Sequence, residues 1–490
     1  MNDKIAIIES VGLEPHLETS GEIAIDFSKK NYEVVFFWAG YDLSWHDWDI
    51  DFISKILGGS INKKVINFEN ILSSRGIKVK KIDKDINNDS NIKIWSDNFY
   101  GDLKKLKNYK YRNCNLGIGV ASSLISYFND YNFNPKLELK KVRSLLFCSA
   151  LIYERALFFL EKEKPKKVLT FNGRFATCLP IVRAAEKLKI QILRHERGSN
   201  FDKYEIYKKG VHDINYIQKR VSYYWRNNKN KNKTTRAHSF FNLRINRRPL
   251  GIDQGKIFVL NQKKGLLPVL PTNKRIVVFY TTSNHEYAAV SNFEFNQIQT
   301  FKKMLQIINN FSDIYLVIRV HPNNNRKNNL DDKLWASFSK HKNICVINSQ
   351  DTCDTYALMK RADIVVSYSS TIALEASYFG KPSVVLKKFW WTQKKSILLI
   401  NNIRQLNKIF NKNYKFRKIK KTACLPVANY MLNYGKKFRY YNPESFYRGK
   451  FLGQNLTWKS YLIRFFELFN LNYCYLFLKK KILYFYNTYL

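Results

Sequence analysis

The chain has 490 residues, 45% of them hydrophobic and 25% charged, so it is a globular protein of about two domains of roughly 200 residues each and not a disordered tail. The 83 Lys and Arg against 39 Asp and Glu leave a formal +44, which calls for an acidic partner, although part of the excess Lys belongs to a Lys, Asn, Ile, Tyr and Phe bias that A/T-rich codons also produce. Seven cysteines, at 114, 148, 178, 345, 353, 424 and 474, form no CxxC pair and no Cys/His ligand spacing, which argues against a zinc site and a disulfide framework.

Met1 to Ile8 has no basic segment followed by an apolar run, so no secretory signal is expected. Strands are predicted at Ile5 to Ile8 and Tyr32 to Phe37; between them Thr19-Ser20-Gly21-Glu22 fits a capping box that starts the first crossover helix at Thr19. Asp47-Trp48-Asp49-Ile50-Asp51 imitates a metal-binding DxD, but it follows an aromatic loop, Trp38 to Trp48, and is not read as a metal site. Further strands are predicted at Val168 to Phe171 and Ile190 to Arg194. A boundary falls between the Lys and Asn run Arg226 to Lys233 and the proline-bearing stretch Leu267 to Asn273. A second set follows at Ile276 to Tyr280, Ile314 to Arg319, Ile344 to Ile347, Ile364 to Ser367 and Ser383 to Leu386. Short apolar runs joined by helix-like segments predict an α/β fold with parallel sheets, and no 20- to 50-residue period repeats. After about residue 420 the chain turns basic and aromatic, as in Tyr434-Gly435-Lys436-Lys437-Phe438-Arg439-Tyr440-Tyr441, which suits helices returning to the first domain. Tyr461 to Phe469 and Lys479 to Tyr486 mix aromatics with cations as an interfacial helix would. The longest uncharged stretch there, Leu468 to Leu478, has 11 residues, whereas a membrane span needs about 20. The expectation is a cytoplasmic protein, with peripheral attachment to an anionic inner membrane face as the role open to the tail.

In open α/β sheets ligands sit outside the carboxyl ends of the strands, where loops converge with helix N-termini. Arg319-Val320-His321-Pro322 leaves one such strand. Ala362-Asp363-Ile364-Val365-Val366-Ser367-Tyr368-Ser369-Ser370-Thr371-Ile372-Ala373-Leu374-Glu375-Ala376 runs from a buried strand through three hydroxyls into a helix that Gly380-Lys381-Pro382 ends. Hydroxyls and amides at a helix start suit phosphate, and Glu375, one turn in, suits a ribose diol; the plain alternative is an N-cap and a dipole-favouring acid. His285-Glu286 suggests HExxH, but position 289 is Ala. In the first half, Glu9 to Glu18, Asn172-Gly173-Arg174 and His195-Glu196-Arg197-Gly198 end at the matching edge. The last two flank one crossover helix, which brings Arg174 and Arg197 together.

Arg319-x-His321-Pro322, Asp354-x-Tyr356-x-Leu358 and Ala362-Asp363 to Glu375-Ala376 with Gly380-Lys381-Pro382 resemble the nucleotide-binding half of capsule polysaccharide biosynthesis glycosyltransferases, over about residues 275 to 390. Related His-Pro and Ser/Thr signatures occur in polysialyltransferases, Kdo transferases and teichoic-acid glycerophosphotransferases. The resemblance implies a GT-B fold, two Rossmann-like domains facing across a cleft. It implies that His321 and Ser369, Ser370 and Thr371 hold the donor phosphate and Glu375 its ribose. The loop Thr281 to Glu286 follows the first strand of the same domain and faces the same cleft, so Thr282 or Ser283 is expected near the nucleotide. Asn172, Arg174, His195, Glu196 and Arg197 look like part of the acceptor side. The base that takes the acceptor proton is expected in the first-strand loop, with Glu14, His16 and Glu18 as candidates. The expected division is 1–240, an acceptor-side domain; 241–274, a linker; 275–425, a nucleotide-sugar-binding domain; and 426–490, a basic aromatic helical tail.

The leading expectation is transfer of a sugar from a nucleotide-activated donor to a surface polysaccharide or lipid-linked acceptor. His321, Arg319 and the Ser369 to Thr371 amides would stabilise the leaving phosphate, with the helix dipole and basic groups in place of a metal. No cofactor is expected, since the nucleotide-sugar is a co-substrate. A CMP-sugar suits metal independence best and UDP-sugars stay open. A CDP-alcohol-dependent polyol-phosphate transferase would use the same phosphate chemistry. A nucleic-acid-binding protein would suit +44 with 15% aromatic residues, but no recognised motif is present and the cations spread along the whole chain.

Overall fold

The computed structural model describes residues 3–41, 43, 61–81, 90–128, 130–248, 262–283, 285–289, 296–322, 330–393, 395–445 and 448–456. Asp47 to Asp51 and the tail segments 461–469 and 479–486 lie outside the described residues.

The first unit carries strands β1 (Lys4–Glu9), β2 (Glu33–Trp38), β3 (Lys78–Lys80), β4 (Lys167–Phe171), β5 (Gln191–Arg197) and β6 (Lys203–Tyr207), in the order β3-β2-β1-β4-β5-β6. All neighbours are parallel except β6, which runs antiparallel to β5. The near-continuous apolar runs are buried on both faces, as parallel strands require. Ile5 and Ile7 face α1 (His16–Ser28) and α2 (Ile61–Ser73). Ala6 and Ile8 face the other side, where α4 (Leu139–Glu163) and α5 (Leu179–Lys187) pack; α3 (Gly117–Phe128) precedes both in sequence.

The second unit contains β7 (Arg275–Tyr280), β8 (Ile314–Arg319), β9 (Ile344–Ile347), β10 (Ile364–Ser367), β11 (Ser383–Val385) and β12 (Leu398–Leu399) in an all-parallel sheet of order β9-β8-β7-β10-β11-β12. That is the doubly wound order, and the first unit repeats its 3-2-1-4-5 part. The architecture is therefore α/β of the GT-B type, two Rossmann-like units with a cleft between them.

Helix α6 (Ile214–Asn227) falls within the 1–240 division expected for the first domain, and α7 (Lys233–Ile245) straddles its end. Their apolar residues Ile217, Val221, Phe240 and Phe241 are buried in one cluster with Val277, Leu316 and Val366, so these helices pack on the second unit. They meet α10 (Leu425–Asn433), which follows α8 (Thr355–Arg361) and α9 (Ile372–Tyr378) and belongs to that cluster too.

The chain does return to the first unit, but by strands instead of the expected helices. After α10, β13 (Lys436–Lys437) pairs antiparallel with β6, and a hairpin of β14 (Tyr441–Ser445) and β15 (Arg448–Phe451) follows. The capping-box reading also fails in a specific way. Helix α1 begins at His16; the Thr19 hydroxyl donates to the Pro15 carbonyl (2.7 Å) inside the first turn. The Glu22 carboxylate does not return to its own helix start. It accepts the backbone N–H groups of Arg439, Tyr440 and Tyr441 at 2.8, 2.7 and 3.1 Å. Beside it, Gly21 makes room for the hairpin, because a Cβ there would lie 2.5 Å from the Phe451 ring. Among the described residues no helix is long and apolar enough to cross a membrane.

Candidate functional site

Strand order reverses between β1 and β4 in the first unit and between β7 and β10 in the second, and ligands bind at such switch points. Register sets the loops level: Phe171 lies beside His195, and Tyr280 lies between Arg319 and Ser367. A cavity of about 490 Å³ opens between the units. From the first unit it is lined by His16, Phe171, Asn172, Arg174, Glu196, Arg197 and Tyr207, from the connector between β6 and α6 by His212, and from the second unit by Tyr287, Trp390, Tyr430 and Tyr434. A neighbouring hollow of about 890 Å³ shares Asn172, Arg174 and His212 and adds Arg194, Lys208, Lys387 and Lys388.

Among the first-half candidates, His16 lies against Phe171 with ring centroids 3.8 Å apart and the planes tilted by 35°. Burial, then the electrostatic influence of Arg197 and its neighbours, holds its pKa well below 6.5, so it is a neutral, proton-accepting imidazole at pH 7. Arg197 donates to the Glu14 carbonyl (3.3 Å). Arg174 lies 3.9 Å over the Phe175 ring and donates to the Ser122 and Ser126 hydroxyls (2.5 and 3.2 Å). Thus Arg174 and Arg197 do share one cavity. Asn172 takes a left-handed φ of 48° and donates to Glu196 at 2.6 Å.

The two carboxylates expected beside His16 are occupied by other groups. Glu14 accepts from the Tyr441 hydroxyl (3.0 Å), and Glu18 pairs with the buried Lys64 (2.6 Å). Burial raises the Glu18 pKa against the pull of Lys64. His195 does not reach the cavity. Alternate strand residues point to opposite faces, and its ring is turned inward, with Nε2 2.8 Å from both Glu9 Oε1 and the Ser20 hydroxyl. That contact fastens β5 to β1 and α1.

In the second half, the Thr281 N–H donates to the Arg319 carbonyl (3.1 Å) and its hydroxyl accepts from the His321 N–H (2.8 Å), which sets the two loops side by side. Thr282 is buried and its N–H donates to Gln297 (2.7 Å), while Ser283 is half-buried at the same edge. His321 is half-buried. Arg319, expected at the phosphate, is turned away: its guanidinium donates to the Asn348 carbonyl, the Asp351 carbonyl (3.3 Å) and the Thr355 hydroxyl (3.4 Å), satisfying a loop that would otherwise bury bare carbonyls. Burial lowers its pKa. Ser369 is buried, with no hydrogen-bond partner for its hydroxyl, and Ser370 and Thr371 are half-buried at the start of α9. Glu375 is 1% exposed and its oxygens accept from Arg244 Nε (2.9 Å) and the Tyr356 hydroxyl (2.8 Å). In this conformation its carboxylate is therefore committed to the second unit's own core rather than open to a ribose.

None of Thr282, Ser283, Arg319, His321, Ser369, Ser370, Thr371 or Glu375 lines the two hollows. The link is the loop after β11. Trp391 Nε1 donates to the Ser369 carbonyl (3.1 Å), and the adjacent Trp390 walls the 490 Å³ cavity. Gln218 of α6 holds that loop by its Phe389 and Thr392 carbonyls (3.0 and 2.8 Å).

The sequence reading missed His212, Tyr287, Trp390 and Tyr430. The run Lys387-Lys388-Phe389-Trp390-Trp391, just past a predicted strand end, was the signal available for the loop. His212 had none, since it sits in the connector after an antiparallel strand. Its ring meets Tyr287 edge-on at 4.8 Å, its Nδ1 has no partner, and burial followed by Arg174 holds its pKa well below 6.5. Among the described residues no cluster of three or more His, Cys, Asp or Glu could hold a metal ion.

A family model described as UDP-N-acetylglucosamine 2-epimerase matches residues 285–405, about a quarter of the chain. No curated protein matches the sequence. Similar solved structures include two from Thermosulfurimonas dismutans KpsC. Its beta-Kdo 2,4 transferase is 13% identical, covering 54% of this chain and 80% of that one at a TM-score of 0.37. Its beta-Kdo 2,7 transferase is 15% identical, covering 56% and 80% at 0.33. A UDP-GlcNAc 2-epimerase of Methanocaldococcus jannaschii, in complex with UDP-GlcNAc and UDP, is 14% identical, covering 86% and 97% at 0.25. These TM-scores lie below 0.5, and the fold assignment rests on the strand order and register above.

Proposed function

We propose that this chain is a glycosyltransferase that takes a nucleotide-activated sugar at the β7/β10 switch point and passes it to an acceptor hydroxyl in the cavity between the units. The observation that carries the reading is the cavity itself: about 490 Å³, the size of a small-ligand site, with a neutral imidazole and two arginines on one wall and four aromatic rings on the other. Aromatic faces suit sugar rings, and Arg174 and Arg197 suit anionic groups.

In this mechanism the acceptor oxygen attacks the anomeric carbon and its proton passes to His16. The bond from the anomeric carbon to the donor phosphate breaks, and its electron pair leaves with the phosphate oxygen. His321, Ser370 and Thr371 are the groups suited to hold the donor phosphate, and the unpartnered Ser369 hydroxyl is a further donor beside them. A CMP-sugar is the favoured donor and a UDP-sugar the next.

A second reading, epimerisation of a nucleotide-sugar, is favoured by the family-model match over 285–405. It needs the donor site but no acceptor. Calorimetric titration with CMP, CDP, UDP and GDP in EDTA, on the wild type and His321→Ala, tests what both readings share, and binding by none of the four rejects both. Product analysis with a bound nucleotide-sugar then separates them: transfer lengthens an acceptor, whereas epimerisation inverts one carbon of the donor with no acceptor present.

A further inference from the structure

Residues 376–443 contain no Asp or Glu in 68 positions and sixteen Lys or Arg. Six of these cations fall between 411 and 422, where an irregular segment crosses the second unit with Lys415, Arg417, Lys418, Lys420 and Lys421 exposed and Tyr414, Phe416 and Ile419 half-buried between them. The inward side chains roof a hollow of about 760 Å³ whose floor includes Tyr378, Phe379, Ile397 and Leu398. Lys421 lies 5.5 Å over the Tyr378 ring, and Tyr414 and Phe416 meet edge-on at 4.9 Å. The carboxylate nearest in the ion-pair pattern, Asp313, is held by Arg275 (2.6 Å) and reaches only Lys412 (3.8 Å). Among the described residues no carboxylate pairs with Lys415, Arg417, Lys418, Lys420 or Lys421.

We propose that this hollow and its rim dock on a bilayer surface containing anionic phospholipid, with headgroup phosphates at the cations and acyl carbon against the Tyr414, Phe416 and Ile419 side of the hollow. Cations alternating with apolar side chains over an apolar recess match an amphiphile that is anionic at one end and hydrocarbon at the other. A free phosphate would use the rim and leave the recess empty. A nucleic acid would need exposed ring faces for stacking, and both rings are half-buried. The face lies beside Gly380 to Pro382, at the amino end of β11, whereas the site occupies the carboxyl ends, so docking leaves the cleft open.

The test is co-sedimentation of the full chain with vesicles of phosphatidylcholine alone and with 30% phosphatidylglycerol added (a composition of about this level gives an anionic leaflet). The variants are R417Q/K418Q/K420Q/K421Q, F416S, and the charge-matched control K104Q/K105Q/K140Q/K187Q on the first unit. Each basic residue near an anionic leaflet changes partitioning about fivefold, so the patch variant should lose roughly 100-fold or more while the control keeps wild-type binding. F416S should lower partitioning without changing its salt dependence. No preference of the wild type for the anionic vesicles, wild-type binding by the patch variant, or an equal loss in the control overturns the proposal. So does displacement of the vesicles by a single-stranded oligonucleotide whose own binding needs the same four cations.

Discussion

Replacing Glu375 by Gln removes the charge that pairs with Arg244 at 2.9 Å in a site where the acid is 1% exposed. Arg244 Nε donates to one carboxylate oxygen and the Tyr356 hydroxyl to the other, and burial together with the Glu375 charge pushes the Tyr356 pKa up. Removing one partner of a buried pair strands the other, at a cost of about 3–5 kcal/mol. Glu375→Gln should therefore be destabilised by about that much in urea, and Arg244→Met similarly. The double variant Arg244→Met/Glu375→Leu should be more stable than the sum of the single losses by about 1–3 kcal/mol, since neither group is then left uncompensated. Below the denaturation transition, the folded Glu375→Gln protein should bind its nucleotide within a few-fold of wild type. The result that would refute this is the reverse pattern: less than about 1 kcal/mol of destabilisation with more than tenfold weaker nucleotide binding. That pattern would mean the carboxylate leaves Arg244 and Tyr356 to hold a ribose.

His16 and His212 are held neutral in the folded chain, with pKa values well below 6.5, while the unfolded chain protonates both near 6.5. Stability therefore rises with pH up to this window and is lost as pH falls below 6.5, by about 1 kcal/mol for each imidazole between pH 6.5 and 5.5. Urea midpoints of a His16→Asn/His212→Phe variant should show that slope reduced, and an unchanged slope would contradict the burial of the two rings. His16→Ala should lower transfer by 10²- to 10⁴-fold, roughly the worth of a general base, and leave nucleotide affinity unchanged. Glu22→Ala should cost about 3 kcal/mol or more, because three backbone amides lose their acceptor, and limited proteolysis should then cut first within 438–456. Cutting elsewhere first would separate Glu22 from the docking of that segment.

The strands were legible because a doubly covered parallel sheet demands unbroken apolar runs: β8, β9 and β10 begin and end at the predicted residues. Strands β3, β6 and β12 escaped notice because Lys78-Val79-Lys80 and Lys203 to Tyr207 lie at or near a sheet edge and need not be apolar, and Leu398-Leu399 is too short to stand out. Loops at the carboxyl edge could be located, yet which way a side chain leaves them could not. His195 and Glu196 are neighbours in sequence, and strand alternation sends one into the sheet packing and the other to the cavity. Arg319 and Glu375 carry charge at the edge where ligands bind, yet both charges serve partners distant in sequence, Asn348 and Asp351 for the one and Arg244 for the other. The docking of Arg439 to Tyr441 on Glu22 failed to show itself for the same reason, since Glu22 and Tyr441 lie more than 400 residues apart.

Transfer and epimerisation diverge on one physical requirement, space for a second molecule beside the donor. The 490 Å³ cavity joins the 890 Å³ hollow through Asn172, Arg174 and His212, and the larger hollow is walled by Arg194, Lys208, Lys387 and Lys388. A nucleotide-sugar alone would leave much of that volume wet and its cations unused. An oligosaccharide entering through the larger hollow would pass Arg174 before its terminal hydroxyl reached His16. Arg174→Met keeps the side chain's contact with Phe175 but removes the charge and its bonds to Ser122 and Ser126. On the transfer reading it should raise the acceptor KM by about tenfold or more, the worth of one charge-assisted contact, with nucleotide affinity unchanged. An enzyme that needs no acceptor has no such parameter. A variant that lost nucleotide binding instead would put Arg174 on the donor and take the acceptor out of this cavity.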